Sequence, residues 1–164
     1  LFFFVISNVA ISDQKIVFVD MDRLVSVSKP GSSIFKQLKD INNKNLNFLK
    51  DEEKKFKEKE KKLIAQKNII TEADFTSKVD KLKSEINNYN QDRNKMIEEF
   101  NKLKVENTNY LLKQINPILT KYSKENEISI ILKKKDLIIG KTELDITDDI
   151  IKIIDNEIKE FKIK

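Results

Sequence analysis

The chain has 164 residues, 36% of them charged, a formal net charge of +5, and only two Gly and two Pro. His and Cys are absent, which excludes imidazole bases, thiolate nucleophiles, disulfides and nearly all zinc or redox sites. So few glycines leave no room for a phosphate-cradling loop, and the Lys, Glu, Asn, Ile and Leu that dominate suit long solvated helices better than a compact enzyme or a disordered linker.

The chain opens on Leu1-Phe2-Phe3-Phe4-Val5-Ile6 and stays apolar to Ala10-Ile11-Ser12 before turning polar at Asp13. An apolar run ending in Ala10-x-Ser12 has the form of a signal-peptide core with small residues before a cleavage point. It is shorter than the roughly 20 apolar residues a membrane span needs. Residues 1–12 are therefore expected to be the remnant of a cleaved signal peptide, with the mature chain beginning near Asp13 outside the cytoplasm. A buried N-terminal strand is the competing reading. Lys15–Val19 is a β-branched and aromatic run of strand length. Met21–Val27 has room for one or two helical turns, with Lys29-Pro30-Gly31 as a breaker and Ser32 or Ser33 as the cap of the next helix.

From Ile34 to Lys67 the apolar residues Phe35, Leu49, Phe56, Leu63 and Ile70 recur in sevens, with Asn42 interrupting. Between Asp51 and Lys62 nearly everything but Phe56 is Lys or Glu, as in a solvated helix supported by charge pairs one turn apart. Thr71 with Asp74 three residues on resembles a capping box, so a turn is expected within 69–74. Beyond it Phe75, Val79, Leu82, Ile86, Tyr89, Met96, Phe100, Leu103 and Tyr110 alternate four and three apart, with Arg93 and Asn107 on the same seam. A heptad seam this long predicts a coiled coil, and two such helices joined by a short turn make an antiparallel hairpin. About 40 residues at 1.5 Å each give an arm of about 60 Å.

Pro117 should kink that helix or start a new one. Ile128–Leu132 reads as a strand, with Leu137-Ile138-Ile139 as its hairpin partner. Thr147 is expected to cap a last helix whose first turn carries Asp148 and Asp149, favoured at the positive end of the dipole. The fold class is then α+β: a small β body with a long antiparallel helical hairpin arm. Its parts are the first strand and turn over 13–31, the arm over 32–127, and the return strands and last helix over 128–164. A body this small should need association to be stable, and Ile16, Phe18, Ile130, Leu132 and Ile138 are the apolar residues expected to build it.

Several segments together resemble the Skp/OmpH family along nearly the whole mature chain. They are Lys15–Met21 followed by Leu24-Val25, Thr71-Glu72-Ala73 before the lysine-rich heptad helix, Glu125–Leu132, and Asp145-Ile146-Thr147 before an Ile-rich helix. The resemblance implies a periplasmic homotrimer whose β body carries three helical arms around a cavity. It implies ATP-independent holding of unfolded outer-membrane proteins, with no cofactor, no metal and no enzymatic activity. A structural coiled-coil protein of the envelope is the alternative. Anionic lipid or lipopolysaccharide is a further expected contact, whereas interleaved acidic and basic residues without a stacking platform speak against nucleic acid.

With the turn near Ile70, Phe56 should face Ile86 and Leu63 should face Val79, while Glu52, Lys59 and Gln66 stand opposite Tyr89, Leu82 and Phe75. Phe75, Leu82 and Tyr89 are then incompletely covered and expected to touch clients, with the stems and charges of Lys59, Lys62, Lys78 and Lys81 beside them. Arg93 and Asn107 on the seam are expected to specify register rather than to carry a function. The acidic run Asp51-Glu52-Glu53 and the pair Glu98-Glu99 have no supporting ligands or pocket, so neither metal binding nor acid–base chemistry is expected of them.

Overall fold

The computed structural model describes residues 14–163; the apolar segment read as a signal-peptide remnant lies outside them. In chain order come β1 (Lys15–Val19), α1 (Met21–Val27), α2 (Lys29–Gln66), α3 (Glu72–Glu125), β2 (Ile128–Lys133), short 3-10 turns at Lys134–Asp136 and Thr142–Leu144, and α4 (Thr147–Glu157). They form two compact units. One holds residues 14–31 with Leu111–Lys159, and the other holds Ser32–Tyr110 with residues 160–163. Residues 111–127, grouped with the arm on sequence, fall in the first unit because Leu111, Ile115 and Ile118 are buried there.

In the first unit β1 and β2 pair in parallel, with Ile16 beside Ile130, Val17 beside Ile131 and Phe18 beside Leu132. Parallel partners need a long crossover, which the chain supplies with everything between them. Val17, Phe18 and Val19 are all buried, and the Ile146 N–H donates to the Phe18 carbonyl (3.0 Å), so the end of β1 is flanked on both edges. The Asp20 carboxylate accepts from the Arg23 N–H (3.0 Å) and caps α1.

The Lys29-Pro30-Gly31 breaker proves to be the start of α2, one turn earlier than the cap expected at Ser32 or Ser33. Ser28 is the cap. Its hydroxyl donates back to the Leu24 carbonyl (2.6 Å) and accepts from the Gly31 N–H (3.4 Å). Proline fits the first turn of a helix, where its missing N–H has no intrahelical partner to lose.

Three further expectations change in this unit. Leu137-Ile138-Ile139 is not a strand: the chain leaves β2 through the Lys134–Asp136 turn, and Gly140 settles on the Phe18 ring, where an added Cβ would stand 2.7 Å from Cε1. The partner of β2 is β1, which no local reading of two neighbouring apolar runs could reveal. Of the two outcomes expected at Pro117, a fresh helix does not occur, because α3 runs through the proline. The bond it forgoes is the one to the Lys113 carbonyl, and both residues lie on the exposed side. Thr147 is not a cap but the buried first residue of α4. Its hydroxyl accepts from the Asp20 N–H (2.9 Å) and donates to the Asp145 carboxylate, and that carboxylate serves the Thr147 N–H (3.0 Å). Asp145 therefore does the capping, while Thr147 joins α4 to the end of β1.

In the second unit, α2 and α3 form the antiparallel hairpin. The turn spans residues 67–71, overlapping the expected 69–74 but beginning two residues earlier, and Thr71 caps α3 by accepting from the Asp74 N–H (3.2 Å) while donating to its carboxylate (2.7 Å).

Candidate functional site

Two heptad seams bring the hairpin helices together, but their contents are unequal. On α2 the half-buried residues Leu49, Phe56 and Leu63, continued by Ile70 in the turn, alternate with Asn45, Glu52, Lys59 and Gln66; on α3 nearly every seam position is apolar. From Lys39 to Glu106 no residue is buried. Such a hairpin keeps its apolar side chains half wet along its length. An open groove of about 500 Å³ runs between the helices, with Phe56, Leu63, Phe75, Val79, Leu82 and Ile86 in its walls.

The structure gathers Phe75, Leu82 and Tyr89 on this groove, all three half-buried. Phe56, Leu63, Val79 and Ile86 line the same groove. Glu52 lies on one cleft with Tyr89, and Lys59 and Gln66 find polar partners on α3. Lys59 reaches Glu85 (2.5 Å), one turn beyond Leu82, and Gln66 accepts from Lys78 (3.0 Å), one turn beyond Phe75. Both are charge-assisted hydrogen bonds that link the two helices. The Lys59 bond holds the Glu85 carboxyl below its ordinary pKa.

Tyr89 is more engaged than expected. Its ring meets Phe56 edge-on with centroids 5.3 Å apart, and its hydroxyl lies 3.0 Å from the Glu53 carboxylate and 3.4 Å from the Leu49 carbonyl. Partial burial, followed by the Glu53 hydrogen bond, raises the pKa of its phenol. Lys59 also sits 5.6 Å from the Phe56 ring centre, whereas Lys62, Lys78 and Lys81 extend along exposed faces. Ile64, at 63% exposed, is a groove residue that the seam pattern misses, since it lies one position off the heptad. Its adjacency to Leu63 was the available signal. Arg93 is exposed, while Asn107 is buried and donates to the Leu103 carbonyl (2.8 Å), bonding its own helix instead of a seam partner.

The residues expected to build the body form a second apolar surface. The register puts Ile16, Phe18, Ile130 and Leu132 on one face of the β1–β2 pair. Only Phe18 is buried, beneath Gly140 and with Lys134 above its ring; Ile16, Ile130 and Leu132 are 40%, 45% and 39% exposed. Ile138 and its neighbour Ile139 stand fully in solvent. Among the described residues β2 pairs with β1 alone, so its outer edge presents free backbone groups beside exposed Ile130 and Leu132.

Among the described residues no cluster of acidic side chains could hold a metal ion, and no helix is long and apolar enough to cross a membrane. A sequence profile of the family described as outer membrane protein (OmpH-like) matches residues 15–154. The chain belongs to the OmpH-like family. The match covers both strands, the whole hairpin and most of α4, so membership extends to the architecture and not to one motif. An OmpH-like crystal structure from Caulobacter crescentus CB15, provisionally described as that of an outer membrane chaperone, superposes with a TM-score of 0.84. The alignment covers 99% of this chain and 95% of that one at 18% identity, so the two share the OmpH-like fold. Comparison with curated proteins gives no significant match.

Proposed function

We propose that this OmpH-like chain is an ATP-independent holdase chaperone of the periplasm. In this reading it works as a homotrimer and holds unfolded outer-membrane proteins in the cavity between helical arms. The observation that carries the reading is the hairpin, whose seam exposes Phe56, Leu63, Phe75, Val79, Leu82 and Ile86 in an open groove. Phe75, Leu82 and Tyr89 supply weak apolar contacts, and Lys59, Lys62, Lys78 and Lys81 flank them with apolar stems and positive charge. Weak, distributed contact suits a client that must stay mobile and leave without a nucleotide switch. The single-faced apolar strip of Ile16, Ile130 and Leu132 beside the free edge of β2, together with the exposed Ile138, supports association through the body. Family membership supports a chaperone role, and no catalytic step is assigned to any residue.

The test is light scattering of an unfolded outer-membrane β-barrel diluted from urea, with and without the protein, alongside its mass by sedimentation. Suppression of aggregation without ATP at about one trimer per client is the expected result. The triple substitution of Phe75, Leu82 and Tyr89 by Ser should weaken suppression while leaving the assembly intact. Unchanged suppression would remove these three from the client surface. A well-folded oligomer that leaves aggregation untouched would favour a structural coiled-coil protein of the envelope.

A further inference from the structure

Beyond α4 the chain enters the second unit as Glu160-Phe161-Lys162-Ile163 and is held there in a specific way. The side-chain amide of Gln37 on α2 donates to the Phe161 carbonyl (3.0 Å) and accepts from the Ile163 N–H (3.1 Å). The C=O of residue i−1 and the N–H of residue i+1 are the two groups that one residue of a neighbouring parallel strand would bond with its own N–H and C=O, and here a single side-chain amide bonds both. Gln37 thus takes the place of a strand and reads Lys162 as extended backbone. The alternation agrees: Phe161 and Ile163 are half-buried, and Lys162 between them is exposed. The Phe161 ring meets Tyr110 of α3 edge-on, with centroids 5.0 Å apart. The Gln37 amide is itself held in place by donating to the Ser33 carbonyl and hydroxyl, both at 3.3 Å.

Nothing in this grip depends on the identity of Lys162; the side chains it seats are the Phe161 ring, against Tyr110, and the half-buried Ile163. We infer that Gln37 and Tyr110 form a binding site for an extended polypeptide with an aromatic and an aliphatic residue at alternate positions, and that Phe161–Ile163 occupy it as an internal competitor. Unfolded segments of a β-rich client have that chemistry, so the inference builds on the holdase reading while placing a second contact outside the groove. Two hydrogen bonds and one ring pair make a contact weak enough to exchange. While the internal segment fills the site most of the time, the apparent affinity for an outside peptide is reduced by the free fraction, about tenfold if nine-tenths is occupied.

The experiment uses the full chain and a fluorescein-labelled peptide Ile-Lys-Glu-Phe-Lys-Ile, followed by anisotropy. Phe161→Ala, which loosens the internal occupant, should bind the peptide about tenfold more tightly than the parent. Adding Gln37→Leu should abolish that gain, the same peptide with Ser for Phe should bind weakly to all, and an unfolded outer-membrane barrel should displace the label from Phe161→Ala. Circular dichroism checks that each variant is folded. If Phe161→Ala gains no affinity, or if the unfolded barrel leaves the label bound, the segment is only a structural strap and the inference fails. Aggregation suppression on the same samples separates this outcome from failure of the holdase reading, since a strap is compatible with full suppression. Conversely, displacement of the label without suppression would leave the site standing and remove the holdase.

Discussion

Gly31 lies where the chain passes from α1 to α2, and replacing it with Ala sets two effects against each other. In an open helix the change would gain about 1 kcal/mol from backbone entropy. Here the new methyl would fall 1.7 Å from the Val25 carbonyl oxygen, 2.7 Å from the Val25 carbonyl carbon and 3.1 Å from Ser28 Oγ. Favourable carbon contacts lie near about 3.5–4.0 Å, so the two backbones would have to part by more than about 1 Å. Overpacking costs about 1–3 kcal/mol, and a clash with backbone belongs at the upper end because no side chain can rotate away. The shift also pulls the Gly31 N–H from the Ser28 hydroxyl, and loss of a cap costs about 1 kcal/mol. The net is a loss of about 2–3 kcal/mol, which for a chain of this size lowers Tm by about 5–10 °C. Thermal unfolding followed by circular dichroism at fixed protein concentration measures it. A Gly31→Ala protein that melts at or above the parent's temperature would refute the close approach of α1 and α2.

Thr147→Val keeps the shape but leaves the Asp20 N–H without its acceptor, and should cost about 1–3 kcal/mol in urea unfolding; a change below about 0.5 kcal/mol would contradict that link. Burial pushes the Asp145 carboxyl up, but hydrogen bonds from Lys134 and from the Thr147 hydroxyl and N–H outweigh it and bring its pKa below the ordinary 3.8. A depressed folded pKa contributes stability that is fully present above the unfolded value and is lost as pH falls through the folded one, so the parent should lose stability on acidification below about pH 4 more steeply than Asp145→Asn. Parallel acid-unfolding curves for the two would count against the bond network. Ile130→Lys with Leu132→Lys places charge on the exposed strand face and should shift the sedimenting mass toward the single chain without lowering helix content. An unchanged mass would move the association surface elsewhere.

The hairpin was legible in the sequence because its determinants are local. Heptads from Phe75 to Tyr110, the Thr71–Asp74 cap and the charged outer face of α2 each act within a turn or two of the chain, and they suffice to bring Phe56, Leu63, Val79 and Ile86 onto one groove. β1, α1 and the existence of β2 and α4 were equally local. The tertiary structure decided what depends on distant partners. It paired β2 with β1 across more than a hundred residues instead of with Leu137–Ile139, and it made Thr147 a link to Asp20 instead of a cap. It also gave Lys59 and Gln66 their partners across the hairpin, Glu85 and Lys78. Even the Gln37 grip on Phe161 and Ile163 is written in ordinary residues 124 and 126 positions apart, with no local pattern to mark it. Periodicity reports which face of an element is apolar; which surface covers that face, or leaves it open for another chain, is settled only when the elements meet.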